Sequence, residues 1–224
     1  MATFPPSVPS AVWIPHFTAQ ISAPPNLVFD LLTDLDTYPD WNEWIPRVDA
    51  PKGQPRRRRI ETGMKMILRV RMPFLFGIKM PYSTTVEVAL LELPGDNRRD
   101  TGANTGSEGA AASGPDPSAT ASTAATDNAD NAAAAAAALA AGARVWKVEW
   151  VVADTPRSIF RARRHNEVIE LPDGSCIYRT YEVMEGPMAY LVKFFSGSGV
   201  QSGFRTWAHG LKDRAEHLHA DAPN

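Results

Sequence analysis

The sequence predicts an α+β fold: an antiparallel sheet of six to seven strands, two short helices after the first strand, and one long C-terminal helix. Three observations predict it. Five segments, GMKMILRVRM, PYSTTVEVALLEL, RVWKVEWVV, FRARRHNEVIEL and SCIYRTYEVM, alternate with one mostly apolar face, the period of half-buried strands. Apolar residues at helical spacing gather near the two ends. Turn residues punctuate the strands, Pro172-Asp173-Gly174 among them.

The elements follow in order. Residues 1–11, with Pro5, Pro6 and Pro9, read as an extended lead-in. A strand ends near Ser22, and Pro24 and Pro25 open a helix, because proline suits a first turn. Val28, Leu31, Leu32 and Leu35 give that helix its apolar stripe. Next comes TDLDTYPDWNEWIPRV, which crowds Tyr38, Trp41 and Trp44 among Asp34, Asp36, Asp40 and Glu43. Pro39 interrupts regular helix, so a second short helix turns a corner that the tryptophans plug. Lining a pocket mouth is the other reading of those tryptophans.

The first strand pair places Met64, Met66, Leu68 and Val70 on one face, and Tyr82, Thr84, Val86 and Val88 on its partner. Their connection holds Pro73, Gly77 and Pro81. Residues 94–142 then change composition to Gly, Ala, Ser, Thr, Asp and Asn, without aromatics. Such a stretch buries too little apolar surface to offset its ordering entropy, so it reads as a disordered insertion. Its alanine run favours helix, but with Leu139 as its anchor no stable packing is expected. Alternation resumes with Trp146, Val148 and Trp150, so the insertion swells a hairpin connection inside one domain, residues 12–219. Residues 220–224 form a tail.

The terminal helix begins near Pro187. Met188, Leu191, Val192 and Phe195 form one stripe; Phe204, Trp207, Leu211, Ala215 and Leu218 form another. Phe195 and Phe204 fall on opposite faces at about 100° per residue, which predicts a discontinuity within SGSGVQSG.

VFDLLTDLDTYPDWNEWIPRV near the start, with GSCIYRTYEVMEGPMAYLVKFF and GFRTWAHGLKDRAE near the end, resemble the START-like, helix-grip superfamily, which includes Bet v 1-type proteins, polyketide cyclases and lipid-transfer domains. The E-x-x-E-G and L-K-x-R-A-E endings are similar to small fungal members. The resemblance covers residues 12–219 apart from the insertion. It implies a curved sheet wrapped around the long helix, with a hydrophobic cavity between them and the corner helices closing one end.

Composition narrows the chemistry. The chain has 224 residues, 44% of them hydrophobic, and a formal net charge of −2, which supplies no global attraction for nucleic acid. Aromatics do not interleave with the basic run Arg56–Arg59, which reads as a solvated patch. One cysteine, Cys176, excludes an internal disulfide. His217 and His219 point to different sides of a helix and His165 sits among arginines, so no metal or cofactor is expected. The start of the chain lacks a basic region followed by an apolar one, and no segment has eighteen consecutive apolar residues. The expectation is therefore a cytoplasmic monomer without a transmembrane segment, with transient membrane contact allowed.

The leading expectation is a carrier or binding protein for a small hydrophobic molecule, such as a lipid, sterol, polyketide or isoprenoid. Its expected lining is Met66, Tyr82, Trp146, Trp150, Tyr178 and Phe194, open near the Tyr38–Trp44 corner. A polyketide cyclase-like enzyme is the alternative, with Tyr178 and Glu182 as candidate proton-transfer groups. Tyr178, Thr180 and Glu182 share a strand face; if that face points inward, Glu182 loses solvation and its pKa rises. A protein-interaction module is the third reading, favoured by an interior too small for a ligand.

Overall fold

The computed structural model describes residues 4–73, 79–95 and 123–222. Strand β1 (His16–Ile21) leads into helices α1 (Pro25–Thr33) and α2 (Tyr38–Trp41). Three strands follow: β2 (Arg47–Asp49), β3 (Lys65–Pro73) and β4 (Lys79–Glu92). Helix α3 (Thr123–Ala140) precedes β5 (Val145–Val152), β6 (Arg161–Glu170) and β7 (Cys176–Glu185), and α4 (Pro187–Ala220) ends the fold. The strands form one antiparallel sheet in the order β1-β7-β6-β5-β4-β3-β2. β4 pairs with β5 on the far side of the 94–142 segment, so its flanks are neighbours in one sheet. The sheet curls around α4, which packs against β1, β3 and β7.

The alternating positions sort as the sequence predicts. Met66, Leu68 and Val70 of β3, Val86 and Val88 of β4, and Val148 and Trp150 of β5 are buried facing α4. The corner tryptophans converge on Trp207 of α4. Its indole meets Tyr38, Trp41 and Trp44 edge-on, at ring-centroid distances of 5.5, 5.4 and 6.3 Å. The acidic residues around them also have partners. Asp30, Asp34 and Asp36 pair with Arg59, Arg58 and Arg56, so the basic run lies antiparallel to the acidic one. All four arginines of the run are exposed.

The expected discontinuity in α4 is absent: the helix runs unbroken for 34 residues. Small buried residues join the two apolar stripes without a break. Ser196, Gly199, Val200, Gly203, Phe204, Trp207, Leu211 and Ala215 form one buried stripe at helical spacing. Two glycines of the helix, Gly203 and Gly210, serve close approach rather than bending. A Cβ on Gly203 would lie 2.2 Å from Trp44, and one on Gly210 would lie 2.1 Å from the Trp41 carbonyl oxygen. Gly186, which opens α4 at φ +89°, is needed on both grounds, since a Cβ there would meet the Ile159 carbonyl oxygen at 2.7 Å.

The reading of residues 94–142 as a disordered insertion is corrected over α3; residues 96–122 lie outside the described residues. α3 packs on the outer sheet face, burying Ala135 and Ala138 against Ile169 and Ile177, with Leu139, Ala143 and Val145 alongside. Alanine's small side chain, which argued against anchoring, lets the helix lie close to the sheet. Asn128 adds a polar clip: its Oδ1 accepts from the Thr18 backbone N–H and from the Thr18 hydroxyl, each at 2.7 Å.

That clip belongs to a larger arrangement. β1 is an edge strand, whose outward backbone groups invite unwanted pairing unless covered. The His16 carbonyl accepts from Gln201, the Thr18 N–H donates to Asn128, and the Gln20 carbonyl accepts from Lys212. Just beyond the strand, the Ser22 N–H donates to Glu216. The L-K-x-R-A-E ending thus supplies two of the groups that cover β1, and its Arg214 pairs with Asp40 of α2.

Candidate functional site

Between the sheet and the first half of α4 lies a cavity of about 510 Å³. Each wall follows from strand alternation. Leu68 and Val70 come from β3, Tyr82, Thr84 and Val86 from β4, and Trp150 and Val152 from β5. Ala162 and Arg164 of β6 and Glu182 and Met184 of β7 continue the wall, with Phe160 just before β6. Trp44 and Ile45 reach in from the corner. α4 contributes Met188, Leu191, Val192, Phe195, Ser196 and Val200, so its first apolar stripe faces the cavity instead of a packed core.

The mouth is displaced from its expected place. Tyr38, Trp41 and Trp44 are all buried, so the corner is closed by packing, and Trp44 alone of the three also lines the cavity. The exposed lining residues are Tyr82 of β4 and Met188, Leu191 and Phe195 of α4. Access therefore lies between β4 and the start of α4, where Leu191 remains 57% exposed.

Of the six expected lining residues, Tyr82 and Trp150 lie on the cavity wall. Met66 and Trp146 are buried on the inner sheet face, but away from the cavity. Phe194 points to solvent at 81% exposure, because the helical step from Val192 and Phe195 carries it off the cavity face. Tyr178 is fully buried outside the lining. Its hydroxyl donates to Asn166 Oδ1 at 2.7 Å, and burial pushes its pKa up, which fits a structural donor better than a proton-transfer group.

Glu182 does face inward. It keeps some accessible surface, which belongs to the cavity wall. Burial raises its pKa, and the charges of Arg164 and His165 offset only part of that rise. Arg164 stands opposite it in the β6–β7 register.

Arg164 is the residue that sequence reasoning missed. It is 3% exposed and packed among four rings. Its guanidinium carbon lies 4.4 Å from the centroids of Phe204 and Trp207, 5.0 Å from Trp44 and 5.8 Å from Trp150. These cation–π contacts hold the charge without supplying a hydrogen-bond acceptor. Nε donates to Thr180 Oγ1 at 3.3 Å, and Thr180 in turn donates to Asn166 Oδ1 at 3.1 Å. Asn166 closes the chain by donating to the Val148 carbonyl at 3.4 Å. Such a linked network fixes the guanidinium orientation. The signal was present: Ala162, Arg164, Asn166 and Val168 alternate inward, but RARRHN invites a solvated reading.

Among the described residues, no group of three or more His, Cys, Asp or Glu side chains is arranged to hold a metal ion, and no helix is long and apolar enough to cross a membrane. Cys176 is buried, and its thiol pKa is pushed up to about 12, chiefly by burial, which suppresses thiolate chemistry.

A curled antiparallel sheet gripping a long terminal helix over an internal cavity is a helix-grip α+β fold. No protein-family model and no curated protein matches the chain. Solved structures do. A hypothetical protein from Helicobacter pylori is similar over 93% of this chain and 91% of its own, at 10% identity and a TM-score of 0.56. The di-domain ARO/CYC BexL from the BE-7585A biosynthetic pathway is similar over 96% of this chain at 11% identity, with a TM-score of 0.51. This chain spans 52% of BexL's length. A START superfamily protein from Mycobacterium smegmatis aligns over 92% of this chain and 98% of its own, at 14% identity and a TM-score of 0.48. At such identities the likeness to the first two carries the fold alone, and function rests on the site.

Proposed function

We propose that this chain binds a small hydrophobic molecule inside the cavity, as a carrier or binding protein. One observation carries the reading: a cavity of about 510 Å³ whose wall is mostly aliphatic and aromatic, with few polar groups. Ligand sites usually have a volume of about 300–1,000 Å³ and this kind of lining. An interaction module without a ligand requires a filled interior, which this cavity argues against. Native mass spectrometry of the purified protein, followed by organic extraction, tests the proposal. A co-purifying or exchangeable apolar molecule at one per chain is the expected result. Protein that stays empty when offered lipids, sterols and aromatic polyketides would overturn it.

A second reading, a polyketide cyclase-like enzyme, is favoured by the convergence of Arg164 and Glu182 on the same wall. A preorganised cavity can fold a reactive chain while a carboxyl moves a proton and a guanidinium stabilises developing enolate charge. Glu182 is the candidate acid–base group in this reading; Tyr178, outside the lining, is not. Turnover of a poly-β-ketone substrate that falls about a hundredfold in Glu182→Gln, with binding retained, is its signature. Absence of turnover leaves the carrier reading.

A further inference from the structure

We propose that the buried end of the cavity is a carboxylate site, in which Arg164 binds the single acidic head group of an otherwise hydrophobic ligand. The inference rests on the ligand-binding reading and deepens it. The Arg164 side chain is 3% exposed, yet its Nη2 has no hydrogen-bond partner among the described residues. A buried guanidinium donor left unpaired is costly, so an acceptor is expected to meet it. The surrounding rings cannot, because an aromatic face offers its π cloud and an indole N–H only donates.

The neighbouring wall repeats the pattern. Two residues of the same wall, Trp44 and Thr84, likewise bury polar atoms without partners, Nε1 and Oγ1. Two of these three atoms are pure donors, so the missing partner is an acceptor. No ion pair within 4.0 Å joins Arg164 to Glu182, although the two stand opposite in register. Desolvation raises the Glu182 pKa, which favours its neutral carboxyl and lessens its opposition to a ligand carboxylate. One fixed guanidinium balances one negative charge. A phosphate dianion would bring a second charge into a wall that is otherwise aliphatic and aromatic. The apolar body of the ligand then extends toward Leu191 and Phe195, where the wall opens.

Competition against a neutral, environment-sensitive dye tests this at fixed neutral pH. Decanoic acid is compared with 1-decanol, and 2-naphthylacetic acid with the corresponding naphthyl alcohol. The alcohols are the more hydrophobic members, so without a head-group site they displace the dye better. In the native protein the acid of at least one pair is expected to compete at about tenfold lower concentration, the strength of a hydrogen bond to a charged group. Arg164→Met should lose that preference, read as the ratio of the acid and alcohol concentrations that displace half of the bound dye. Equal displacement by acid and alcohol, stronger displacement by the alcohol, or displacement by neither overturns the carboxylate site, while dye uptake still upholds the cavity reading. Failure of the dye itself overturns the cavity reading and the site with it. If Arg164→Met does not fold, carbon-13 carboxyl spectra of labelled decanoic acid on the native protein decide. A bound carboxyl titrating below the free acid supports the site, and one titrating at or above it refutes the site.

Discussion

Replacing Gly203 with alanine sets helix propensity against packing at the cavity wall. Propensity alone favours the change by about 1 kcal/mol in a helix interior. The structure opposes it: the new Cβ would lie 2.2 Å from Trp44 Cε2 and 2.5 Å from its Cδ2 and Nε1. Carbon atoms rest at about 3.5–4.0 Å, so the indole or the helix must retreat by roughly 1.3 Å or more. Overpacking of this kind costs about 1–3 kcal/mol. The expected net loss is up to about 2 kcal/mol, or up to about 8 °C in Tm for a domain of this size. The escape route for Trp44 is the cavity that it already lines, so apolar dye affinity should fall as well. Gly210→Ala is the control, because its Cβ would strike the Trp41 carbonyl oxygen at 2.1 Å, and backbone yields less than a side chain. It should lower Tm at least as much, with dye affinity per folded molecule nearly unchanged. Thermal unfolding and dye titration of both variants read the result. A higher Tm in Gly203→Ala would refute close packing of α4 on the corner.

Three further outcomes are expected. Asn128→Ala removes the acceptor for the Thr18 N–H on the edge strand and should cost about 1 kcal/mol, read as a Tm lower by about 2–4 °C; an unchanged Tm would mean α3 does not cover β1. Tyr178→Phe should cost about 0.5–1.5 kcal/mol by losing the bond to Asn166 while leaving dye affinity unchanged, whereas weakened binding would place Tyr178 at the ligand. Glu182→Gln tests the sign of a buried carboxyl. Its raised pKa means the folded state holds the proton more tightly, so the group's stability contribution is full below about pH 4 and falls as pH rises through the folded pKa. The variant should therefore unfold at higher temperature than the native protein near pH 7, with the difference vanishing in acid. A lower Tm at neutral pH would mean that attraction to Arg164 outweighs desolvation.

Alternation made the sheet legible, because a half-buried strand writes its inner face every second residue. The corner was legible too, since three large aromatics in a short connection need a place to pack. The terminal helix was harder. Its glycines look like breaks in a sequence, and only Trp41 and Trp44 lying against them reveal contact positions. Composition misled at α3, where alanine lacks the area to drive burial alone but fits against the Ile169 and Ile177 surface that the sheet provides. At the site, hydrophobicity found Tyr82 and Trp150 and overshot to Phe194, because apolar character does not say which side of a helix meets the cavity. Charge hid Arg164: an arginine among arginines reads as surface, and only the packing of four rings around it shows otherwise.

Ligand binding by this fold requires an interior that admits an apolar molecule. Fluorescence titration of the native protein with a neutral, environment-sensitive dye measures this directly, alongside Ala162→Phe. Ala162 is buried on the cavity wall, so a phenyl group there occupies ligand space. The predicted result is saturable uptake of one dye per chain at roughly micromolar affinity, about 8 kcal/mol, with a change in tryptophan emission from Trp44 and Trp150. Ala162→Phe should weaken that uptake at least tenfold while remaining folded. No uptake by the native protein, or uptake that a folded Ala162→Phe leaves intact, would contradict a ligand held between the sheet and α4.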